Sequence, residues 1–440
     1  MRRHVAIVGN GAAAISALET FRLHDRHSRV TIVSGEPCTA YSRVLLPYFL
    51  RRTVPYAHLF IRDAAFYRNS GADLLLGSAV ERVDVGARSL ELADGRTLSF
   101  DRLLLAPGSS PVRPPIPGLE GPEIQHLWRL DEAGRLDRLF REGARAVVIG
   151  AGFVSLQAAW AARQRGLEVT VVELAERILP TVLDEPGAHI LRECVLDSGV
   201  GLHTGAHTEG VVRDERGSLR VSVEGLPPLA ADVVIVGTGV RPNDHLLAEC
   251  VAPGQRGITV DDTMQTAVEG VYAAGDVARG PVVGGGPRTV HALWPTAVEQ
   301  GKIAGANLAG ARAVYPGSLS MNVTSMFGVT VASLGRFAAE EGDSVVRLGA
   351  LPGLRYLQVV VRDGVPAGAV ALGGARAAAA LGYLRPFVRR QVPVADVEAV
   401  VTGEHVAGGI TPGRTRGRAV LGSFAGGRAL GRGLPGSPGS

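Results

Sequence analysis

The chain has 440 residues, of which 46% are hydrophobic and 20% are charged, a balance typical of a globular protein with two or three domains. Its formal charge of +4 equals that of residues 401–440 alone, which hold five arginines and one glutamate, so a nucleic-acid-binding face is not expected on the remainder. Its three cysteines lack metal-ligand spacing, and no apolar run reaches the roughly 20 residues that span a membrane, so we expect a cytoplasmic protein without a metal site.

The chain opens with a strand, a glycine-rich turn, a helix and a second strand. The apolar run His4–Val8 predicts the first strand, and residues 30–33 predict the second. Between them, Gly9, Gly11 and Ala14 form a G-x-G-x-x-A pattern. Small residues there permit a tight turn and let the backbone approach a pyrophosphate at the positive end of the helix. We therefore predict a dinucleotide-binding unit.

The second strand of this unit lacks the acid that usually binds the adenosine ribose. Ser34 occupies the expected place. Glu36, two residues later, either substitutes for that acid or is an exposed carboxylate in a turn.

The same pattern recurs 141 residues further along. Residues 146–149 predict a strand, Gly150 and Gly152 make the turn, residues 153–165 predict a helix, and residues 169–172 predict the next strand. Glu173 follows, 23 positions after Gly150. Its carboxylate suits both ribose hydroxyls and repels a 2′-phosphate, so NADH is favoured over NADPH.

The remaining segments predict how the domains are arranged. Residues 102–106 predict a short buried strand, and the proline-rich residues 111–117 predict a crossing between domains. Residues 232–236 predict a further strand, and residues 356–372 predict a hairpin that turns at Asp363 and Gly364. The last 40 residues are rich in glycine and arginine, and we expect them to be disordered.

Six segments in this order resemble FAD- and NAD(P)H-dependent members of the pyridine nucleotide-disulfide oxidoreductase superfamily. They are residues 9–14, LLLAPGSSP at 103–111, residues 150–173, VGTGVRPN at 236–243, GVYAAGD at 270–276 and LWPTAVEQG at 293–301. AYSRVLLPY at 40–48 and MNVTSMFGVTVASLG at 321–335 are similar to segments of rubredoxin and ferredoxin reductases and of the flavin portion of NADH-dependent nitrite reductases.

The resemblance implies an α/β fold with two Rossmann-like dinucleotide-binding domains and a small α+β C-terminal domain. Residues 1–112 and 245–317 would form a discontinuous FAD domain, and residues 113–244 would form the inserted NAD(P) domain. Residues 318–400 would form the third domain, which could mediate a homodimer or receive a partner. Residues 401–440 would form the disordered tail.

The resemblance also implies roles for particular side chains. Asp276 would accept hydrogen bonds from the ribityl chain of FAD, at a turn from a strand into a helix whose N-terminus would stabilise the carboxylate. A helix N-cap without a flavin role is the alternative. Arg43 would lie near the flavin or its pyrophosphate, or in solvent, and Trp294 would flank the isoalloxazine or be an ordinary core residue. The other positions expected to line the cofactor are Ala106, Gly108, Gly239 and Gly275.

Two departures from the family pattern reduce the range of reactions that we expect. Val44 stands where coenzyme A disulfide reductases and water-forming NADH oxidases carry a cysteine, and Cys38 lies six positions earlier, so thiol chemistry is not expected. Tyr48 and Gln157 stand where related reductases carry a lysine near the flavin and its glutamate partner, and Lys302 is the single lysine of the chain. Losing both charges together avoids leaving one of them unpaired in a low-dielectric site. Hydride transfer needs stacked rings and excluded water rather than an acid or base, so we expect activity with an altered flavin potential. Tyr48, Gln157 and Trp294 would be the catalytic residues beside the flavin.

These features together predict an FAD-dependent oxidoreductase. Hydride would pass from NADH, less readily from NADPH, to FAD, and electrons would pass on to a protein such as a ferredoxin or rubredoxin. One alternative is the flavin subunit of a multi-component dehydrogenase or oxidase with a relict NAD site. Another is a non-catalytic dinucleotide-binding sensor.

Overall fold

The computed structural model describes residues 3–215, 217–349 and 352–403. Within these residues, none of the helices is both long and apolar enough to cross a membrane. The same residues contain three short 3-10 segments, Arg43–Leu45, Tyr56–Leu59 and Asp244–Cys250. The α-helices of the described residues are α1 (Ala12–His24), α2 (Leu46–Leu50), α3 (Ala64–Asn69), α4 (Leu130–Leu139), α5 (Phe153–Gln164), α6 (Glu185–Asp197), α7 (Trp294–Leu308), α8 (Ala375–Arg390) and α9 (Val397–Thr402).

The first domain is built on a parallel five-stranded sheet. The strand His4–Val8 lies at its centre and is buried along almost its whole length, which explains its unbroken apolar sequence. One edge strand comes from residues 271–273, so the domain is discontinuous, as predicted. The spatial order of the strands is Val271–Ala273, Arg102–Leu105, His4–Val8, Arg29–Ser34 and Ala72–Leu76. An antiparallel sheet of Val80–Asp84, Ser89–Leu92 and Thr97–Ser99 is attached to this domain.

Helices α1 and α7 pack against each other at close range in this domain. A Cβ atom added to Gly301 would lie 2.3 Å from the backbone oxygen of Ala13, and one added to Gly305 would lie 2.3 Å from that of Ala17. No side chain fits at these two positions of α7, so glycine sets the distance between the helices. A Cβ on Gly275 would lie 3.2 Å from the Ala13 side chain, so the turn that carries Asp276 is held against the start of α1.

The second domain repeats this plan and is inserted into the first. Its parallel sheet has the order Gly201–His203, Glu168–Val172, Arg145–Ile149, Val233–Val236 and Ile124–Gln125. A second, antiparallel sheet contains Thr208–Arg213, Leu219–Val223 and Leu229–Ala231. The chain passes between the domains through the antiparallel pair of Ser109–Pro111 with Val240–Pro242. This pair lies beside the domain borders predicted at 112/113 and 244/245, whose exact positions stay a prediction.

The third domain has a five-stranded antiparallel sheet with α8 and α9 packed on one side. The predicted hairpin is confirmed, because Asp363 and Gly364 both have positive φ angles, 51° and 77°, as a two-residue turn requires. Residues 401 and 402 end α9, so the predicted disordered tail does not begin at 401; residues 404–440 lie outside the described residues. The strands in spatial order are Met321–Met326, Val329–Gly335, Val365–Gly373, Leu354–Arg362 and Ser344–Leu348.

Polar contacts join the third domain to the second. The Tyr356 hydroxyl donates to Asp184, and Asp184 also caps α6 by accepting from the backbone N–H of Gly187 at 3.3 Å. Nearby, Arg355 Nη1 donates to Cys194 Sγ at 3.2 Å. These contacts fix the sheet of the third domain against α6, and they bring the strand Met321–Met326 close to α5.

His291 gives the described fold a dependence on pH. Burial lowers the pKa of His291 below its usual 6.5, and its Nδ1 lies 2.6 Å from Ser318 Oγ. The unfolded chain therefore binds a proton at a higher pH than the folded chain, so stability is lost as the pH falls below about 6.5. We expect the thermal midpoint of His291→Gln to fall less between pH 7 and pH 5.5 than that of the natural chain. Equal falls, measured by circular dichroism, would contradict this expectation; the exposed His207→Gln is the matched control.

Candidate functional site

The first glycine turn forms an open cradle at the start of α1. Gly9 has a φ of +103°, and a Cβ there would lie 2.0 Å from the backbone oxygen of Ala106, so only glycine fits. Gly11 precedes the first residue of α1, and no side chain caps the helix at that position. A Cβ on Gly11 would meet nothing within 4 Å. The glycine turn itself lines a cavity of about 370 Å³, and a pyrophosphate fits at this helix start because it would satisfy the free N–H groups of the first turn of α1.

The second glycine turn has the same geometry. Gly150 has a φ of +100°, and a Cβ there would lie 2.5 Å from the backbone oxygen of Gly237. Gly152 precedes α5 without a side-chain cap, and it too has open space in front of it. A second pyrophosphate fits at this helix start for the same reason as at the first.

Glu173 lies beside the second turn, where a ribose acceptor is expected. Its carboxylate accepts from the backbone N–H of Ala151 within the turn and, at 2.8 Å, from that of Ala175. Arg177 is the nearby cation that would attract a 2′-phosphate, and it donates to the backbone oxygen of Pro180 at 3.1 Å. A fixed negative charge at this place is consistent with NADH as the preferred dinucleotide, and the role of Glu173 remains a prediction.

Arg43 holds several groups together at the edge of the first cavity. Its Nη2 lies 2.5 Å from Glu36 Oε1, and its Nη1 donates to the backbone oxygen of Trp128 at 2.6 Å. The second oxygen of Glu36 accepts from the Tyr41 hydroxyl at 2.7 Å. The Glu36 side chain is only 23% exposed, so its interpretation as an exposed carboxylate is wrong. Arg43 likewise is an anchored cation rather than a solvated one, and a ribose contact by Glu36 remains a prediction.

Asp276 lies in the turn that follows the strand Val271–Ala273, at a cavity next to the first one. It accepts from the Ser109 hydroxyl at 2.6 Å. Burial raises the pKa of Asp276, while the Ser109 hydrogen bond and the charge of Arg43 oppose the rise. The turn leads into a strand, Ala278–Arg279, and not into a helix, so the expected stabilisation by a helix N-terminus and the N-cap alternative are both wrong. The carboxylate still has acceptor capacity for the hydroxyls of a ribityl chain.

A cavity of about 400 Å³ adjoins the first one and receives residues from all three domains. The three side chains predicted to be catalytic, Tyr48, Gln157 and Trp294, all line it. Trp294 begins α7, where its half-buried ring packs against the core of the first domain; that it flanks the isoalloxazine remains a prediction. The cavity is also lined by Val44, Phe153, Val154 and Thr324.

Tyr48 and Gln157 have separate partners rather than forming a neutral pair with each other. The Arg51 guanidinium lies 4.5 Å from the centroid of the Tyr48 ring. Gln157 is 5% exposed and donates from Nε2 to Thr324 Oγ1 and, at 3.4 Å, to the backbone oxygen of Ser325. The third domain thus completes the wall of the cavity, a role that the sequence analysis missed although it singled out the segment MNVTSMFG.

The remaining predicted cofactor positions divide into two groups. Ala106 and Gly108 line both cavities, and Gly275 lines the second. Ala14 and Gly239 line neither of them: Ala14 is fully buried within α1, and Gly239, with a φ of +99°, serves the turn between two strands. The indole N–H of Trp128 donates to the backbone oxygen of Ser109 at 2.8 Å, and Trp128 is a further lining residue that the sequence analysis missed.

Comparisons with known proteins agree with this geometry. The family model that matches, pyridine nucleotide-disulphide oxidoreductase, covers residues 3–301. The NADH-dependent phenylglyoxylate dehydrogenase subunit epsilon of Aromatoleum evansii is 33% identical over 359 residues, which are 80% of this chain and 84% of the relative. The rhodocoxin reductase of Rhodococcus erythropolis is 30% identical over 312 residues, covering 71% and 73%. A solved ferredoxin reductase from Rhodopseudomonas palustris has a TM-score of 0.83 and 25% identity, covering 92% of this chain and all of that one.

The match spans all six segments on which the resemblance was based, including both glycine turns and the turn that carries Asp276. The predicted α/β fold class is confirmed, as are FAD and NAD(P)H as the cofactors and oxidoreductase as the class of enzyme. The chain belongs to the pyridine nucleotide-disulphide oxidoreductase family.

Proposed function

We propose that this enzyme takes hydride from NADH onto FAD and passes the electrons to a small iron-sulfur protein. The observation that carries the proposal is the 400 Å³ cavity, where the first residues of α1 (Ala12 and Ala13), the first residues of α5 (Phe153 and Val154) and residues of the third domain meet. A cavity shared by the two helix starts lets two dinucleotides present their rings to each other. Bound FAD would accept hydride from the nicotinamide and release electrons to the acceptor.

The residues of the cavity bind and orient rather than act as acids or bases. The free N–H groups at the starts of α1 and α5 would hold the two pyrophosphates. Asp276 would fix the ribityl chain, with its own position fixed by Ser109. Trp294 and Phe153 supply apolar surface that would exclude water from the rings.

The iron-sulfur acceptor is inferred from the relatives. Rhodocoxin reductase and the ferredoxin reductase component of a chlorobenzene dioxygenase from Cupriavidus are 30% and 31% identical to this chain. Two apolar side chains that line the cavity are exposed, Val44 at 56% and Val323 at 45%. A protein acceptor that binds to these exposed side chains would lie close to the flavin.

An anaerobic titration tests the proposal. NADH is expected to bleach the visible absorbance of the bound flavin with one equivalent, and NADPH is expected to do so far more slowly. Adding an oxidised ferredoxin or rubredoxin should then restore the absorbance. Flavin that NADH cannot bleach would overturn the first half of the proposal, and bleached flavin that reoxidises only in oxygen would overturn the second.

The phenylglyoxylate dehydrogenase subunit favours a second candidate function, that of a flavin subunit in a larger dehydrogenase. In that case the electrons would arrive from a partner subunit, and NAD⁺ would be the final acceptor. The geometry of Gly150, Gly152 and Glu173 is complete, which speaks against a relict NAD site. Purification from the native host tests this candidate, since stoichiometric partner subunits are expected if it holds. The sensor alternative has no support, because the relatives are named as reductases, oxidases and dehydrogenases.

A further inference from the structure

A third cavity, of about 460 Å³, lies next to the one that the three domains share. Ser109, Asp276 and Ala292 line both of them. Val240 and Pro242, at the two ends of a strand through which the chain passes between the dinucleotide-binding domains, also line the third cavity. In the part of the chain that the structure describes, neither glycine turn reaches this cavity. A pyrophosphate at the start of α1 or α5 therefore does not account for it.

The walls of the third cavity carry more positive than negative charge. Arg256 and Arg279 line it, and Asp276 is the single acid among the described lining residues. The Asp276 carboxylate already accepts from the Ser109 hydroxyl. Neither arginine forms an ion pair with a described residue, and Arg279 Nε donates to the backbone oxygen of Arg288 at 2.7 Å, which leaves its two terminal nitrogens without a partner. Two guanidinium groups without a carboxylate partner favour an anion in this cavity.

The backbone holds the two arginines close to each other. Arg279 lies in a short parallel sheet with residues 258–259. Gly257, which follows Arg256, has a φ of +86°, and a Cβ there would lie 3.4 Å from the Cβ of Arg279. The N–H of Gly257 donates to the buried carboxylate of Asp244 at 2.7 Å. The segments that carry the two guanidinium groups are therefore packed together, and the fold brings both groups to one cavity.

The donors of the third cavity indicate the class of ligand. A guanidinium group presents its N–H donors in a planar fork that matches the oxygens of a carboxylate or a phosphate. The Thr289 hydroxyl and the Gln255 amide belong to the same walls and can supply further hydrogen bonds. We propose that the third cavity binds a small organic acid or phosphate compound, whose oxyanion lies between Arg256 and Arg279. Because Asp276 lines both cavities, this ligand would bind beside the flavin site, whichever electron acceptor the enzyme uses.

Calorimetric titration of the oxidised, FAD-loaded protein tests this site without turnover. Potassium phosphate and potassium succinate are the two probes, each added at constant ionic strength. We expect at least one of them to bind. Arg279→Gln and Arg256→Gln should each weaken that binding roughly 10-fold or more, the effect of losing a hydrogen bond to a charged group. Binding of phosphate alone would identify a phosphate compound as the ligand, and binding of succinate alone would identify an organic acid.

Arg241→Gln is the matched control, because Arg241 is an exposed arginine of the strand Val240–Pro242 that does not line the cavity. It lowers the charge of the protein by the same amount and should leave binding of the probe unchanged. Equal weakening in all three variants would overturn the proposal, since a general charge effect would explain it. Displacement of the probe by NAD⁺ would do the same, because the probe would then occupy the second glycine turn. The proposal is also wrong if neither probe binds to the natural chain.

Discussion

Replacing Asp276 by alanine is expected to yield a protein that purifies without FAD. Asp276 lines the 400 Å³ cavity shared by the three domains, and its carboxylate is held by the Ser109 hydroxyl at 2.6 Å. Ligand hydroxyls that donate to a carboxylate contribute about 1.5–3 kcal/mol each, so the loss of one such bond weakens binding roughly 10- to 150-fold. Asp276→Asn keeps the shape and loses the charge, and its affinity for FAD should lie between those of alanine and the natural chain.

The ratio of flavin absorbance to protein absorbance measures this effect, and titration of the apoprotein with FAD gives the dissociation constant. Asp262→Asn is the matched control, because Asp262 is an exposed carboxylate of the same domain that pairs with Arg288 at 2.8 Å. An Asp276→Ala protein with a full complement of FAD would show that the carboxylate supports the turn only.

The two glycine turns could be predicted because their causes are local. A Cβ atom at Gly9 or Gly150 would lie 2.0 or 2.5 Å from a backbone oxygen of a neighbouring segment, and only glycine avoids this clash. The spacing to Glu173 follows from the length of one helix and one strand, so its place was predictable as well. Sequence patterns of this kind report constraints that act within a single βαβ unit.

The surroundings of Asp276 and Glu36 were harder to predict. The first was expected before a helix, but the turn leads into a short strand. For Glu36, the sequence did not reveal its partner. Glu36 and Arg43 were both singled out, but their contact depends on how the turn between them folds. Neither periodicity nor motif spacing encodes that path.

The part played by the third domain could not be predicted, since Gln157 and Thr324 are 167 residues apart. Their contact exists because the sheet of the third domain packs on the second domain, where Tyr356 bonds to Asp184. Side-chain partners across such a distance depend on domain packing, which a single sequence does not report. The sequence shows that the lysine–glutamate pair is missing, but it does not show which partners Tyr48 and Gln157 have instead.

Replacing Glu173 by alanine is expected to reverse the preference between the two nicotinamide dinucleotides. With both ribose hydroxyls unbound, kcat/KM for NADH should fall about 10- to 100-fold, by the magnitude of charge-assisted hydrogen bonds. For NADPH it should rise, because the negative charge that repels the 2′-phosphate is gone and the N–H groups of Ala151 and Ala175 become available to it. Steady-state rates with ferricyanide as the acceptor measure both values.

Glu176→Ala is the control for this experiment, because Glu176 is an exposed acid three residues further along the same loop. Its removal lowers the local negative charge by the same amount but leaves the carboxylate beside the glycine turn in place. A general electrostatic effect would therefore change NADPH rates equally in both variants, whereas a ribose ligand would lose NADH activity only in Glu173→Ala. If Glu173→Ala lowers kcat/KM for NADH and NADPH by the same factor, the carboxylate acts by holding Ala151 and Ala175 in place and not by choosing the dinucleotide.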